Sequence, residues 1–462
     1  MDPGPGRYHF VGVGGVGMSA IAHILAQGGS AVSGSDLQES SGTRRLAQNG
    51  VRVFIGHRAE NVDGAHTVVV SSAVPDDNVE VVAARARGIK VVPRMDMLAR
   101  IMAPPKKGLA IAGTHGKTTT TSMVALMLEK SGLDPTILVG GDLDAIGGNA
   151  RLGAGEYVVA EVDESDGTFV RLEPFAALLT NVEDDHLDHY RSMANLVAAF
   201  ERFLGRVDGR GARVLCADDV RLQRMAARSG GGATVTYAVD ADADFRATDV
   251  ELEPTGSRFI LRRGGEPLGA VELKVPGLHN VSNATGALAL ACRLGLPFSA
   301  AAPALQVFKG VKRRFQTLGV AGEVWIVDDY GHHPTEIRAT LHAACRAAAG
   351  RVVCVFQPHR YTRTRLLYRR FAAALGAADI LVLAEVYSAG EKPLPGVSSE
   401  LIAGEVEARG GARPPVFGAR TDLVEHLASI VRPGDLVLTL GAGNVWMAGV
   451  ELIERLRAAG GA

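Results

Sequence analysis

The sequence predicts an α/β protein of about three domains, opening on a parallel sheet with helices on both faces. Three observations carry this expectation. The chain has 462 residues, and a typical domain has roughly 100–200. Short apolar runs alternate with helical stretches, the rhythm of parallel β-α-β units. The pattern breaks near residues 108 and 316, which gives expected domains of 1–108, 109–316 and 317–462.

The elements follow in order. Tyr8–Val13 reads as a strand and Gly17–Gln27 as a helix, followed by strands at Ala31–Ser35, Val51–Ile55 and Thr67–Ser71. Pro104–Gly108 interrupts the pattern and reads as a linker, because proline and glycine punctuate regular structure. Leu109–Ala112 is a strand that leads through Gly113–Thr121 into a helix over Ser122–Glu129. Strands are expected at Tyr157–Val162 and Ala176–Thr180, and antiparallel strands around Gly264-Gly265 within Phe245–Val275. Val281–Leu294 reads as an Ala-rich helix. The last segment opens near Thr317, with strands at Val324–Val327, Val352–Phe356, Ile380–Ala384 and Leu436–Leu440. One of its helices begins at Pro334, a favoured first-turn residue.

Composition excludes several classes. Lys+Arg is 49 against Asp+Glu 50, a net charge of −1, so the balance does not favour nucleic-acid binding through bulk charge, which needs a basic face to displace counterions. Hydrophobic residues at 47% and charged residues at 21% exclude wholesale disorder. Aromatics are only 5%, so the core must be built from Ala, Val, Leu and Ile. The four cysteines, Cys216, Cys292, Cys345 and Cys354, have no short paired spacing. They predict neither a disulfide framework nor a zinc ribbon, but small buried hydrophobes in a reducing compartment. No apolar run reaches the roughly 18 residues of a membrane span. The opening MDPGPGRYHF lacks the charged-then-apolar pattern of a signal peptide. The expectation is a soluble, cytoplasmic protein.

The strongest motif is Gly113-Thr114-His115-Gly116-Lys117-Thr118-Thr119-Thr120, after an apolar strand and before a helix. In that context backbone N–H groups at a helix N-terminus meet phosphates, Lys117 reaches the outer ones and Thr118 offers a hydroxyl to Mg²⁺. Ile111 stands where the full pattern wants glycine, so the loop is a shortened G-x-x-G-K-T. The next strand ends in Glu161-Val-Asp163-Glu164-Ser-Asp166, where a nucleotide-bound Mg²⁺ finds its carboxylate; the spacing leaves open which one. Thr180-Asn181-Val-Glu183-Asp184-Asp185-His186-Leu-Asp188-His189-Tyr190 crowds more carboxylates and imidazoles at a strand end, where open α/β sheets place their sites. His186 and His189 without a neighbouring cysteine are weak as a zinc pair, and a second magnesium site is the better reading.

At the N-terminus Gly12-Val-Gly14-Gly15-Val-Gly17 fits G-x-G-x-x-G after a strand, with Asp36 ending the next strand. NAD or a nucleotide-diphosphate sugar would satisfy such a loop, since either brings a pyrophosphate. Three further runs follow. Lys309–Phe315 and Asp328–Glu336 put cations and imidazoles near the second boundary, and Gln357–Thr364 does so after a strand. Arg369 and Arg370 read as a solvated helix face. His279-Asn280-Val-Ser-Asn283 could place amides near a purine, or cap the Ala-rich helix.

Taken in order, these motifs resemble the Mur ligase family. The resemblance runs through GVGGVGMS at Gly12–Ser19, SGSD at Ser33–Asp36, SSAV at Ser71–Val74, GTHGKTTT, AEVDESD, TNVEDDHLDHY, HNVSNA, GVKRRF, DDYGHHPTE, FQPHRYTRT and GAGN at Gly441–Asn444. It implies the member that adds the first amino acid, L-alanine, to UDP-N-acetylmuramate in peptidoglycan synthesis. It further implies a Rossmann-like N-terminal domain holding the UDP moiety, a central P-loop ATPase domain and a Rossmann-like C-terminal domain. By the family pattern Gly14, Gly15, Gly17, Met18, Ser19, Asp36, His57 and Ser72 meet the UDP-sugar. Gly113, Thr114, His115, Gly116, Lys117, Thr118, Thr119, Asn280, Asn283, Arg314 and Asp329 meet ATP. Thr118, Glu161 and His186 hold Mg²⁺, for which Mn²⁺ can substitute. His333, Arg360 and Arg363 serve the reacting carboxylate or the amino acid, and Lys117, His186, His333 and Arg314 carry the chemistry. The general base is open among His186, His332 and His333, and the assembly state between monomer and homodimer. Many siblings bridge to magnesium through a carbamylated lysine, yet no lysine occurs between Lys130 and Lys274. That role is absent here or falls to a group such as Glu183 or Asp185.

Rival readings leave motifs idle. An NAD-dependent oxidoreductase does not use the phosphate loop, and a P-loop switch does not use the N-terminal glycines or DDYGHHPTE. A sibling that attaches a whole peptide to the same sugar is disfavoured by Gly15, Met18 and Ser19.

Overall fold

Three sheets organise the chain, and the computed structural model describes residues 6–228 and 234–460. The first sheet contains β1 (Arg7–Val11), β2 (Ala31–Asp36), β3 (Arg52–Ile55), β4 (Thr67–Val70) and β5 (Lys90–Pro93). Their order is β3-β2-β1-β4-β5, and every pair is parallel. Strand order reverses between β1 and β4. That is the switch point at which ligands meet the carboxyl ends of such sheets. The glycine-rich turn after β1 sits there, followed by α1 (Val16–Gln27); α2 (Ser41–Gln48), α3 (Val79–Ala86) and α4 (Arg94–Met102) follow β2, β4 and β5.

The second sheet has ten strands in the order β15-β14-β13-β12-β11-β10-β6-β9-β7-β8. They are β6 (Lys107–Ala112), β7 (Thr136–Leu143), β8 (Gly148–Arg151), β9 (Tyr157–Glu161), β10 (Ala176–Leu179), β11 (Arg213–Cys216), β12 (Thr234–Ala238), β13 (Phe245–Leu252), β14 (Ser257–Arg263) and β15 (Glu266–Leu273). The central strand β6 pairs in parallel with β9 on one side and β10 on the other. Its Leu109–Ala112 run is fully buried, as expected of a parallel strand covered on both faces.

The third sheet runs β16-β17-β21-β18-β19-β20. It contains β16 (Gln316–Ala321), β17 (Val324–Asp329), β18 (Val352–Phe356), β19 (Ile380–Ala384), β20 (Val416–Phe417) and β21 (Leu436–Leu440). Only the β16–β17 pair is antiparallel. Along β18 the two-residue period divides the core. Val352, Cys354 and Phe356 pack with Leu341 and Phe371, while Val353 and Val355 pack with Leu423 and Leu452.

The chain divides into two compact units. The first runs to Asp249 and adds Phe259–Glu272 and Val281–Phe308; the second comprises Val250–Arg258, Leu273–Asn280 and the chain from Lys309. The first sheet lies in the first unit and the third sheet in the second.

Several expectations shift. The helix expected over Ser122–Glu129 is α5, Lys117–Lys130, so half of the expected loop is helical. Gly116 with φ 79° turns the chain and lets the helix begin at once. The Ala-rich helix starts earlier, at Leu278. Strands β5, β7, β8, β11, β12, β16 and β20 were not expected; β7 pairs with β9 over Thr136–Leu138 and runs on into Gly140-Gly141-Asp142, residues poor in strand propensity, where the Gly140 N–H donates to the Glu161 carboxylate at the end of β9. Cys345 is exposed and not a buried hydrophobe, whereas Cys216 and Cys354 are buried and all four are free. The opening residues 1–5 lie outside the described residues.

Candidate active site

In the first unit the turn after β1 is built for close backbone approach. Gly12 has φ 77°, and the N–H groups of Gly12 and Val13 both donate to the Ser35 carbonyl. The Asp36 carboxylate accepts from the Gly14 N–H at 2.8 Å, so it braces the loop. Gly15 is the N-cap of α1 without any side-chain cap. The first-turn N–H groups are therefore what this segment offers an anion. Met18 and Ser19 are buried, and the Ser19 hydroxyl donates to the Val16 carbonyl. His57 follows β3, its Nδ1 3.1 Å from both Ser35 Oγ and Glu80 Oε2. Glu80 is fully buried and takes further bonds from Ser35 and Asn61. Burial opposes its charge, but contacts with His9, Ser35 and Asn61 prevail and hold its carboxyl down at about 2. Ser72 lies in the turn after β4.

The phosphate loop joins β6 to α5. Gly113 has φ 126°, and a Cβ there would strike Thr180 Oγ1; a Cβ at Gly116 would lie 2.5 Å from Asn283 Oδ1. Neighbouring strand ends lock the loop: Thr180 Oγ1 donates to the His115 carbonyl at 2.6 Å, and the His115 N–H donates to Asn181 Oδ1 at 2.8 Å. The Glu183 N–H donates to Thr114 Oγ1 at 2.9 Å. His115 Nε2 lies 3.7 Å from Glu183 Oε2.

Lys117 Nζ donates to the Gly113 carbonyl at 2.6 Å, the Thr114 carbonyl at 3.1 Å and Glu164 Oε2 at 2.8 Å. Burial would lower the Lys117 pKa, but Glu164 first and then Asp163 overcome it and hold it above the ordinary lysine value. Burial raises the Glu164 carboxyl, with Lys117 opposing. Thr118 Oγ1 donates to Glu161 Oε1 at 3.0 Å, and Glu161 Oε2 accepts from the Gly140 N–H at 2.6 Å. His186, at φ 56°, places Nε2 4.0 Å from Glu164 Oε1 and 3.7 Å from Asp185 Oδ2. Thr118 and Glu161 thus meet at the end of β9, while the His186 ring lies beside Glu164 and Asp185. The oxygen pair Thr118–Glu161 suits a hard cation such as Mg²⁺.

The second unit carries the other expected groups. Asn280 Nδ2 donates to the Pro276 carbonyl at 2.7 Å. Arg314 lies 3.6 Å from Glu336 Oε1, with its guanidinium 5.4 Å from the Tyr330 ring centre. Asp329 ends β17 and accepts from the N–H groups of Phe315 and Gly331 at 2.8 and 2.7 Å. Burial pushes its pKa up to about 6, against the pull of Arg314. His333 is buried as the N-cap of the helix Pro334–Ala347, in a capping box with Glu336. His359 stacks on Tyr387 with ring centres 5.6 Å apart, and Arg363 Nη1 lies 3.4 Å from its Nδ1. Burial first, then Arg363 and Arg360, lowers the His359 pKa to about 4. Arg360 donates from Nε to Glu391 Oε1 at 2.7 Å. Glu391 therefore already engages Arg360. Arg369 is exposed beside Glu405, as a solvated face should be.

The sequence leaves Glu164 among several candidate carboxylates for magnesium, and its partner in the structure is Lys117; Glu80 and Arg94 carried no expectation. A lone arginine directly after an apolar run, at Arg94, was the available signal.

Three models of the Mur ligase family match the chain: the catalytic domain over residues 7–105, the middle domain over 111–291 and the glutamate ligase domain over 313–443. A curated relative from Pelotomaculum thermopropionicum, UDP-N-acetylmuramate–L-alanine ligase, is 49% identical over 97% of this chain and 97% of its own. The solved UDP-N-acetylmuramate-alanine ligase from Thermotoga maritima superposes with a TM-score of 0.82 at 31% identity, over 98% of this chain and 100% of that one. A murein peptide ligase from Psychrobacter arcticus shares the fold, with a TM-score of 0.73 at 24% identity over 98% and 99% of the two chains. With models matched along nearly its whole length, the chain belongs to the Mur ligase family.

Proposed function

We infer that the chain is an ATP-dependent ligase that joins L-alanine to the lactoyl carboxylate of UDP-N-acetylmuramate, giving UDP-N-acetylmuramoyl-L-alanine, ADP and phosphate in peptidoglycan synthesis. The carrying observation is the 49% identity, over nearly the full length of both chains, to a curated ligase of that name. The phosphate loop supports the ATP half of the reaction, and the α1 turn supports the sugar-nucleotide half.

A carboxylate is a poor electrophile. Transfer of the γ-phosphoryl group makes it an acyl phosphate, the amine of alanine attacks, and phosphate leaves the tetrahedral intermediate. Lys117 exchanges the loop carbonyls and Glu164 for phosphate oxygens. With Arg314 it offsets the charge of phosphoryl transfer, which is mainly positioning and electrostatics. Thr118, Glu161 and His186 would hold Mg²⁺, which supplies charge neutralisation at the phosphates when bound. Glu183 and Asp185 are the groups available in place of a carbamylated lysine. Asn280, Asn283 and Asp329 serve the nucleotide. His333, Arg360 and Arg363 serve the acyl group or the alanine carboxylate, and Glu391 orients the Arg360 guanidinium. Gly14, Gly15, Gly17, Asp36, His57 and Ser72 serve the UDP moiety, with Met18 and Ser19 fixing the start of α1. We place the enzyme in the cytoplasm as a monomer or homodimer acting on small molecules; among the described residues no helix is long and apolar enough to cross a membrane.

The test is direct. Incubation with UDP-N-acetylmuramate, ATP, Mg²⁺ and single amino acids, followed by mass measurement, should show one alanine added per sugar nucleotide and one ADP formed. No mass gain with alanine, or gain only with a preformed peptide, defeats the reading.

A further inference from the structure

Arg94 has no role in the readings above, yet it occupies a singular place. It is the first residue of α4 (Arg94–Met102), directly after β5. Its Nη1 lies 2.7 Å from where a Cβ on Gly17 would stand. The guanidinium is therefore laid against the first turn of α1, in the space that a side chain at Gly17 would take. Its Nη2 donates to Asp163 Oδ2 at 2.6 Å, and Asp166 Oδ2 is 4.0 Å away. Asp163 adjoins Glu164, the partner of Lys117. The side chain is 18% exposed, and its Nε is buried with no hydrogen-bond partner among the described residues.

This placement is electrostatically costly as it stands. The N-terminus of a helix carries roughly half a positive charge, and a cation beside it is repelled. A buried guanidinium N–H without an acceptor adds a desolvation cost. Asp163 offsets part of this on one side only. An anion at the start of α1 would offset the rest, accepting from the helix N–H groups and from Arg94 together.

We propose that Arg94 is a substrate-positioning residue that binds the diphosphate of the sugar nucleotide against the first turn of α1, while its ion pair with Asp163 ties that diphosphate to the segment carrying Glu164. The proposal rests on the sugar-nucleotide reading of the α1 turn. It assigns one cation to the join between the glycine loop and the acidic strand end that adjoins the phosphate loop. Arginine suits the task because its planar fork can serve a phosphate and a carboxylate at once.

The experiment compares Arg94→Met, Arg94→Lys and Asp163→Asn with the parent enzyme by calorimetric titration. The probes are UDP-N-acetylmuramate and UDP-N-acetylglucosamine, which has the same diphosphate and no lactoyl carboxylate. The Met variant should weaken both by about tenfold or more, the loss of a charge-assisted hydrogen bond, with the ATP KM within about twofold of the parent. Lys should recover part of the loss. Asp163→Asn keeps the guanidinium and should bind both probes as tightly as the parent or tighter. Equal weakening by Arg94→Met and Asp163→Asn would make Arg94 a structural tie and overturn the proposal. So would a loss confined to UDP-N-acetylmuramate, which would move Arg94 to the carboxylate. A parent enzyme that binds neither probe would instead overturn the reading of the N-terminal domain.

Discussion

The Lys117–Glu164 pair couples chemistry to stability. Glu164 is 1% exposed and Lys117 15%, and removing one partner of such a pair strands the other charge at a cost of about 3–5 kcal/mol. Lys117→Ala should therefore abolish measurable ligation, a loss on the scale of about 3–4 kcal/mol for a preorganised charge, and also lower the melting temperature. Adding Glu164→Gln should restore the melting temperature and not the activity. A single variant with near-parental turnover would overturn the role given to Lys117. Asp329 makes a second prediction. Its folded pKa, about 6, lies above its ordinary 3.8, so the native state holds the proton more tightly. Stability should then fall as pH rises from about 4 to 6 and level off above, by about 2–3 kcal/mol for a shift of this size. Asp329→Asn should flatten that part of the melting-temperature profile of the second unit. An unchanged slope would show that Asp329 is not its source.

At the scale of elements, the phosphate loop works because α5 starts one residue after a left-handed glycine. Gly116 has φ 79° and packs on Asn283. An alanine there pays about 1–2 kcal/mol for the backbone alone, and its Cβ must also displace the Asn283 amide. Gly116→Ala should raise the ATP KM at least about tenfold while leaving binding of the sugar nucleotide unchanged, since the α1 turn is a separate element. Equal losses for both ligands would mean that the first unit as a whole had been disturbed. The same logic explains why His333 is hard to read from sequence. Its ring caps the helix Pro334–Ala347 while its motif suggests chemistry, and one position can serve both ends.

At the scale of the whole molecule, two predictions concern the reaction. Activity should be the same in degassed and in bicarbonate-supplemented buffer at one pH, because no lysine lies between Lys130 and Lys274 to form a carbamate. Rescue by bicarbonate would place a carbamate on a lysine elsewhere. L-Alanine should be preferred, with glycine slower by roughly tenfold to two-hundredfold, since one methyl in an apolar pocket is worth about 1–3 kcal/mol. L-Serine should also react, because an apolar pocket rejects an added hydroxyl weakly. Competition assays scored by kcat/KM decide this, and a preference for D-glutamate would defeat it.

The local grammar of the chain determined a large part of this protein. Apolar runs set β1, β6, β9, β10, β17, β18, β19 and β21. Glycines followed by polar residues at their carboxyl ends marked the phosphate loop and the α1 turn, because each signal is contained within about ten consecutive residues. What only tertiary structure decided is pairing across sequence. Strand β7 pairs with β9 through Thr136–Leu138; its Gly140 N–H meets Glu161 across 21 positions, Glu164 meets Lys117 across 47, and Arg94 meets Asp163 across 69. A buried charge is stable only beside its partner, and no periodicity within one segment reveals which distant residue the fold will bring there.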